Sequence, residues 1–296
     1  MRIAVIGKTG QLARALLYEG EALGHEIIAL DRDALDLTSS AADIESAIAA
    51  LPSGLDALVI AAALTDVDGA ETKADLAYTL NATAPGIIAR ACAKLDIPLI
   101  HISTDYVFDG EADAPYKPDD DTDPLGVYGA SKLDGELAVL EAGARALILR
   151  TSWLYDGEGH NFLTTMLKLA KRGSPISVVD DQIGRPTFAG HLALAILKAT
   201  DIFAQEPDIE TSIYHVTNGG EPISWAGFAK AIFRAKGLDV KVDDIPTSDY
   251  PTAAERPAYS VLDTDSFERT FHHPLPDWQA GLRAALEMAE DAAASD

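Results

Sequence analysis

Residues 2–17 read RIAVIGKTGQLARALL, and the fold turns on what the glycine turn in this stretch is built to hold. Gly7-Lys8-Thr9 resembles the end of a P-loop, but that motif needs another glycine five places earlier, where the chain has Arg2. The triphosphate reading fails. Arg2 to Ile6 instead form a short apolar run with three β-branched residues, followed by Gly7, Gly10 and Ala13. This is the strand, turn and helix of a dinucleotide site. The first glycine allows a sharp turn, the second admits a pyrophosphate, and the small third residue lets helix pack on strand.

The rest of the first half repeats the same alternation. Strand-like runs at Arg2–Ile6, His25–Leu30, Ala57–Ala61, Pro98–Ile102 and Ala146–Arg150 are separated by helical spacing at Gln11–Leu23, Ala41–Leu51, Thr72–Leu95 and Ser131–Ala142. Strands joined through helices predict an α/β fold of Rossmann type, a doubly wound parallel sheet. Residues 1–150 are expected to form this dinucleotide-binding domain. Residues 151–296, irregular and rich in turns, are expected to form mainly a smaller α/β substrate-binding domain, partly interleaved with the first. The Asp- and Pro-rich segment Asp109–Pro124 reads as a long loop, of the kind that serves as a lid or binding element. The acidic, alanine-rich end EDAAASD is expected to fray.

Composition narrows the partners. With 23 Lys and Arg against 47 Asp and Glu, the net charge is −24, which repels nucleic acid and anionic membranes. Any anionic ligand then needs its own local cations and donors. The acidity suits solubility or a host with high internal salt, and both readings stay open. No apolar run approaches the roughly 20 residues of a membrane span, and the first residues enter a strand rather than a signal peptide. A cytoplasmic location is expected, with the single Cys92 a buried, inert thiol.

The chemistry centres on Tyr128-Gly-Ala-Ser-Lys132. Tyr and Lys four apart share a helix face, and an ammonium beside a phenol favours the phenolate. Upstream, the strand ending near Ile102 runs into Ser103-Thr104-Asp105, putting a hydroxyl at the carboxyl end of a parallel strand, where open α/β sheets bind ligands. Asp31 follows the second strand at the position that reaches an adenosine ribose, and its neighbour Arg32 suits a 2′-phosphate. NADH and NADPH therefore both remain open.

Thr104, Tyr128 and Lys132 match the catalytic set of the extended short-chain dehydrogenases/reductases. In order along the chain, GKTGQL, HISTDYVFDG, PLGVYGASKLDGE, LRTSWLYDGEGHNF, VVDDQIGRPT, YHVTNGGEPISW, DYPTAAERPAYSVLDT and PDWQAGL resemble the dTDP-4-dehydrorhamnose reductase family. The resemblance implies NAD(P)H-dependent reduction of the C4 ketone of a dTDP-deoxysugar. Carried over, it makes Tyr128 the proton donor, Lys132 a ligand of the nicotinamide ribose that lowers the tyrosine pKa, and Thr104 a hydrogen-bond partner of the C4 oxygen. Gly7, Gly10, Gln11 and Leu12 would lie along the pyrophosphate, Asp31, Asp36 and Leu37 near the adenosine, and Ala62, Ala63 and Thr65 beside the cofactor. Asp105 and Trp153 would contact the sugar nucleotide. Arg256 is the candidate cation for its diphosphate, since a guanidinium grips phosphate oxygens as a fork.

Departures sharpen the assignment. Nucleotide-sugar dehydratases resemble S-T-D-E where this chain has Tyr106, so dehydration lacks one of its acids. The family's N-A-A-A-[YH]-T reads Ile60-Ala-Ala-Ala-Leu64-Thr65 here, which alters the cofactor contacts after the third strand. Some relatives are metal-bridged dimers using glutamates; Ala15 and Gly190 stand at those positions, so no metal is expected, in a monomer or homodimer. The seven histidines lack ligand spacing. Two other readings stay open at this level. One is a reductase of another 4-keto-6-deoxy nucleotide sugar. The other is a non-catalytic NADP-binding regulatory subunit resembling that of methionine adenosyltransferase.

Overall fold

The structure, a computed structural model, describes the backbone of residues 1–295 and side chains as far as Asp291. In chain order the first half runs β1 (Arg2–Ile6), α1 (Gln11–Ala22), β2 (Glu26–Leu30), α2 (Ala41–Ala49), β3 (Ala57–Ile60), α3 (Val67–Thr72), α4 (Ala74–Tyr78), α5 (Ala84–Leu95), β4 (Leu99–Thr104), α6 (Val127–Glu141) and β5 (Ala146–Thr151). The second half adds β6 (Leu154–Tyr155), α7 (Phe162–Ala170), β7 (Ile176–Val179), β8 (Ile183–Gly184), β9 (Thr187–Phe188) and α8 (Ala189–Gln205). It ends with β10 (Ser212–His215), β11 (Ile223–Ser224), α9 (Trp225–Ala235), β12 (Val242–Ile245), α10 (Asp265–Phe271) and α11 (Trp278–Ser295). Of the EDAAASD tail expected to fray, Glu290 to Ser295 continue α11, as alanine-rich sequence favours. Asp296 lies outside the described residues.

Six parallel strands form the main sheet in the order β10-β5-β4-β3-β1-β2. The order reverses between β1 and β3, which opens a crevice at their carboxyl ends. Ile3, Ala4, Val5 and Ile6 are at most 1% exposed because helices cover both faces, the reason an inner parallel strand reads as a continuous apolar run. On one face α1 packs with α8, through Leu12, Ala13 and Leu16 against Leu192, Ala193 and Ile196. On the other face Ile44, Ile48, Ile88 and Val139 come from α2, α5 and α6. Thus β10 and α8, both from beyond residue 150, are parts of the Rossmann layers. A third core, around Leu163, Phe228, Ile232 and Trp278, lies under α7, α9 and α11.

The stretch Thr72–Leu95, expected as one helix, is broken. Lys73 leaves helical geometry, and residues 79–83 form a π-helical turn before α5. Pro85 has no amide N–H to return to the carbonyl four residues back, that of Asn81, so the turn widens. Asn81 then works as a staple. Its Oδ1 accepts from Leu64 N (2.8 Å), and its Nδ2 donates to Leu64 O (3.1 Å) and Ser131 Oγ (3.0 Å). The freed Asn81 carbonyl presses on α6 at Gly135, where a Cβ would stand 2.0 Å from it.

The loop Asp109–Pro124 is held down rather than poised as a lid. Tyr116 stacks on Phe108 with centroids 4.2 Å apart, donates its hydroxyl to Asp109, and pairs its backbone with Val261. These anchors were invisible to a reading of local composition, because Val261 lies far along the chain.

Substituting Gly135→Ala should force α6 and the π-turn apart. Overpacking of this kind costs about 1–3 kcal/mol. A lowered urea midpoint with unchanged m-value is the expected result.

Candidate active site

The site is assembled at the carboxyl ends of β1, β3, β4 and β5. After β1 the chain turns at Gly7, whose φ of +105° suits glycine, and α1 starts at Gly10. The first turn of α1 has no side-chain cap and no acidic residue, so its amide groups and dipole are available to an anion. Nothing lies within 4 Å of a Cβ built on Gly10, and the buried Gln11 Oε1 has no partner. These observations suit a bound dinucleotide pyrophosphate.

Two adjoining cavities flank this turn. One, of about 620 Å³, is lined by Gly7, Asp31, Asp36, Leu37, Ala62 and Ala63 among others. The other, of about 980 Å³, brings together Gly7, Gly10, Gln11, Leu12, Ala62, Ala63 and Thr65 with Thr104, Asp105, Tyr128, Lys132, Trp153 and Arg256. All the residues singled out in the sequence therefore line one or both.

In the smaller cavity, Asp31 is held below the usual carboxylate range, first by the Ala34 amide and further by Lys8. Lys8 Nζ stands 3.5 Å from Asp31 Oδ2. Arg32, expected beside Asp31, is 78% exposed and pairs with Asp36 at 3.2 Å. Asp36 also accepts from the Thr38 amide and hydroxyl (2.9 and 2.7 Å), so its carboxylate is spoken for locally. Lys8 was the missed cation; its only signal was its place inside the turn.

The part of the larger cavity that holds Thr104, Tyr128 and Lys132 is built by α6 settling on β4. Gly126 caps α6 without a side chain, and Glu71 Oε1 accepts from the Val127 amide at 2.8 Å. Gly129 allows the first turn to rest on the Tyr106 carbonyl, which would be 2.1 Å from a Cβ there. The helix thus begins at Val127, four residues before the stretch Ser131–Ala142 read from apolar spacing, and carries Tyr128 on the face it shares with Lys132, its ring edge-on to Tyr106 at 5.6 Å. Burial pushes its phenol up to about 12, and Thr104 draws it back. Lys132 Nζ donates instead to the Ile102 carbonyl at 2.6 Å. The expected ammonium-to-phenol contact is therefore not what sets the tyrosine here. A neutral phenol is the form that can give a proton.

Burial also brings Lys132 down to about 8, against the opposing pull of Glu136. Asp105 is 1% exposed, and burial pushes it up to about 7 while the hydroxyls of Ser260 and Thr104 draw it back. Thr104 Oγ1 donates to Asp105 Oδ1 (3.1 Å) and accepts from the Tyr106 amide (3.2 Å). Its single proton therefore has two claimants, Asp105 and any oxygen brought to Tyr128.

Also lining the larger cavity, Trp153 adopts φ +47° and stacks face to face on Trp225, with centroids 3.5 Å apart. The stack supports a backbone conformation that costs an ordinary residue about 1–3 kcal/mol. Arg256 grips Asp68, with Nη1 to Oδ1 3.2 Å and Nη2 to Oδ2 2.7 Å. Its fork thus faces an acid of α3. Ala15 and Gly190 line a separate groove with Glu19, Asp156, Glu158 and Glu287. Among the described residues no group of three or more His, Cys, Asp or Glu is set to hold a metal, and no helix is long and apolar enough to cross a membrane. Cys92 is buried and its thiol is pushed up to about 12.

The family model described as "RmlD substrate binding domain" matches residues 1–290. A dTDP-4-dehydrorhamnose reductase of Sinorhizobium fredii is 42% identical over 288 residues, 96% of each chain. The crystal structure of a dTDP-4-dehydrorhamnose reductase from Clostridium acetobutylicum superposes with a TM-score of 0.91 at 36% identity, covering 98% of this chain and 100% of that one. One from Bacillus anthracis, in complex with NADP, gives 0.90 at 34% identity over 97% and 99%.

If Lys132 binds the cofactor as an ammonium, affinity should weaken as pH rises through about 8, where that proton is lost. Fluorescence titration of NADPH between pH 6 and pH 10, two units either side of that value, checks this. Lys132→Met should bind weakly throughout and lack the alkaline step.

Proposed function

This chain belongs to the dTDP-4-dehydrorhamnose reductase family, and from that membership we propose that it reduces the C4 ketone of dTDP-4-dehydro-6-deoxy-L-mannose to dTDP-L-rhamnose, using NADPH or NADH. The observation that carries the proposal is one cleft holding an uncapped helix N-terminus at one end and Thr104, Tyr128 and Lys132 at the other. The same set argues for an enzyme rather than a regulatory binding subunit.

When bound, the reduced nicotinamide supplies hydride to the C4 carbon. The remaining work belongs to the chain. Tyr128 gives its phenolic proton to the C4 oxygen, so that ketone, hydride and proton become an alcohol and the tyrosine is left as phenolate. The ammonium of Lys132 steadies that phenolate and holds the nicotinamide ribose. Thr104 turns its hydroxyl from Asp105 to the same oxygen and stabilises the charge that develops there. An Asp105 that has taken up a proton is a weaker acceptor for the Thr104 hydrogen, which makes it easier to turn to the substrate. Trp153 provides an apolar wall for the sugar nucleotide. In this reading the enzyme is cytoplasmic, a monomer or homodimer, and without nucleic-acid or membrane partners. Its net charge of −24 supports that exclusion.

Arg256 serves the diphosphate by exchanging partners. Its guanidinium leaves Asp68 for phosphate oxygens, and Lys8 supplies the cation for a 2′-phosphate. Arg256→Ala should raise KM for the sugar nucleotide by roughly tenfold, the scale of one charge-assisted hydrogen bond, and spare NADPH affinity. An unchanged KM would return Arg256 to a purely structural contact with Asp68.

For the chemical step, Tyr128→Phe should lower kcat by about 10²–10⁴, the usual worth of a general acid, with cofactor affinity nearly intact. The assay follows cofactor oxidation with the dTDP-4-keto-6-deoxy-L-sugar, and NMR of the product gives the C4 configuration. A mutant keeping a third of wild-type kcat would show that another group delivers the proton.

A further inference from the structure

Tyr128, Lys132 and Glu136 recur every fourth residue along α6, so all three face the sheet. Glu136 is fully buried, one turn behind Lys132, and every carboxylate contact is directed. Arg150 on β5 donates Nε to Oε1 (2.9 Å) and Nη2 to Oε2 (2.7 Å), and Ser103 on β4 donates its hydroxyl to Oε1 (2.5 Å). Ser103 precedes Thr104, and Arg150 lies beside Ser103 in the strand register. The pair therefore ties the helix that carries Tyr128 to the strand that carries Thr104.

The surroundings are unusually rich in ionisable groups. His101, two residues before Ser103, is fully buried with both ring nitrogens unpartnered, and burial first, then the charge of Lys132, disfavours its protonation. His215 on β10 is likewise kept neutral by burial and by Arg150. Arg150 also donates to the Pro118 carbonyl at 3.2 Å and lies 5.0 Å from the Phe108 ring centre. A buried ion pair is poor value as a stabiliser, since apolar residues of similar size often do as well. Its position one turn from Lys132 suggests another reason for it.

We propose that Glu136 and Arg150 form a positioning pair, in which Arg150 holds the Glu136 carboxylate one turn from Lys132, the carboxylate keeps Lys132 an ammonium, and the two together fix the Tyr128–Lys132 face of α6 against Thr104. The role rests on the function proposed above, in which Lys132 acts as a cation. Neither member touches the reactants. Without the carboxylate, Lys132 would lose the negative charge that opposes its burial and would shed its proton more readily. Arg150 is needed because it keeps that carboxylate charged and aimed.

The test reads Lys132 itself. Protein labelled with ¹³C at lysine Cε is titrated by NMR, the Lys132 signal being identified by its loss in Lys132→Met. The wild-type signal should titrate near pH 8. In Glu136→Gln the midpoint should fall by about one pH unit, the effect of losing an opposite charge nearby. The double variant Glu136→Gln with Arg150→Met should fall likewise, and Glu136→Asp should stay close to wild type. The double variant buries no unpaired charge and so guards against simple misfolding. Mere loosening of the helix would admit water and move Lys132 the other way, towards the value of a free lysine. A midpoint that rises or stays fixed in Glu136→Gln or in the double variant overturns the proposal. The alkaline limb of NADPH affinity should follow the same order. No sugar nucleotide enters either measurement, so a failure of the substrate assignment stays separate.

Discussion

The molecule depends on how closely α6 can approach its neighbours. At Gly129 it rests on the backbone of the turn after β4, and at Gly135 on the π-turn before α5. Both contacts are backbone to backbone, so the helix has little freedom to slide or lift. That constraint sets Tyr128 against Tyr106 and Thr104, Lys132 against the Ile102 carbonyl, and the helix dipole over the sheet end. It also buries the ionisable side chains. The phenol is thereby kept protonated and the lysine is brought near the top of the physiological pH range by one and the same packing.

The charge of the protein and the charge of its proposed ligands pull in opposite directions, and the cleft is where they are reconciled. A net charge of −24 covers the surface, yet the ends of the cleft carry Lys8, Lys132 and Arg256 and the bare amides of α1. Two of these cations are already engaged by acids, Lys8 by Asp31 and Arg256 by Asp68. An arriving phosphate would replace an existing ion pair instead of meeting a bare cation. Each exchange costs a partner, so affinity grows less than a count of positive groups implies, while discrimination against ligands without phosphate is kept.

Much of this arrangement was legible in the sequence because it follows from short-range rules. Strand β1 reads correctly since its apolar run lies inside a covered sheet, and the glycine turn reads correctly since its spacing is local. Helix α6 was placed a turn late because Gly126, Tyr128 and Gly129 are poor helix signals; the helix starts there for tertiary reasons, on Glu71 and the Tyr106 carbonyl. The break at residues 79–83 was missed although Pro85 announced it. What local reasoning cannot reach is pairing at distance. Arg256 meets Asp68 across 188 positions, and Asp105 depends on Ser260. Arg32 beside Asp31 looked like the natural cation, but its side chain turns outward to Asp36 while Lys8 reaches in from the other loop.

The place of β10 at the edge of the sheet has a consequence for the order in which the protein can be made. Strand β5, ALILRT, is buried along its whole length and pairs on one side with β4 and on the other with β10. On the ribosome, β5 emerges with one edge open and waits for residues 212–215, more than 60 positions later. Helix α8, which covers α1, arrives in the same late stretch. Until then the nascent chain displays an apolar strand edge and the uncovered face of a half-built sheet, the features most prone to pair with other chains. The acidic coat has a second use in that interval, since like charges hold unfinished copies apart.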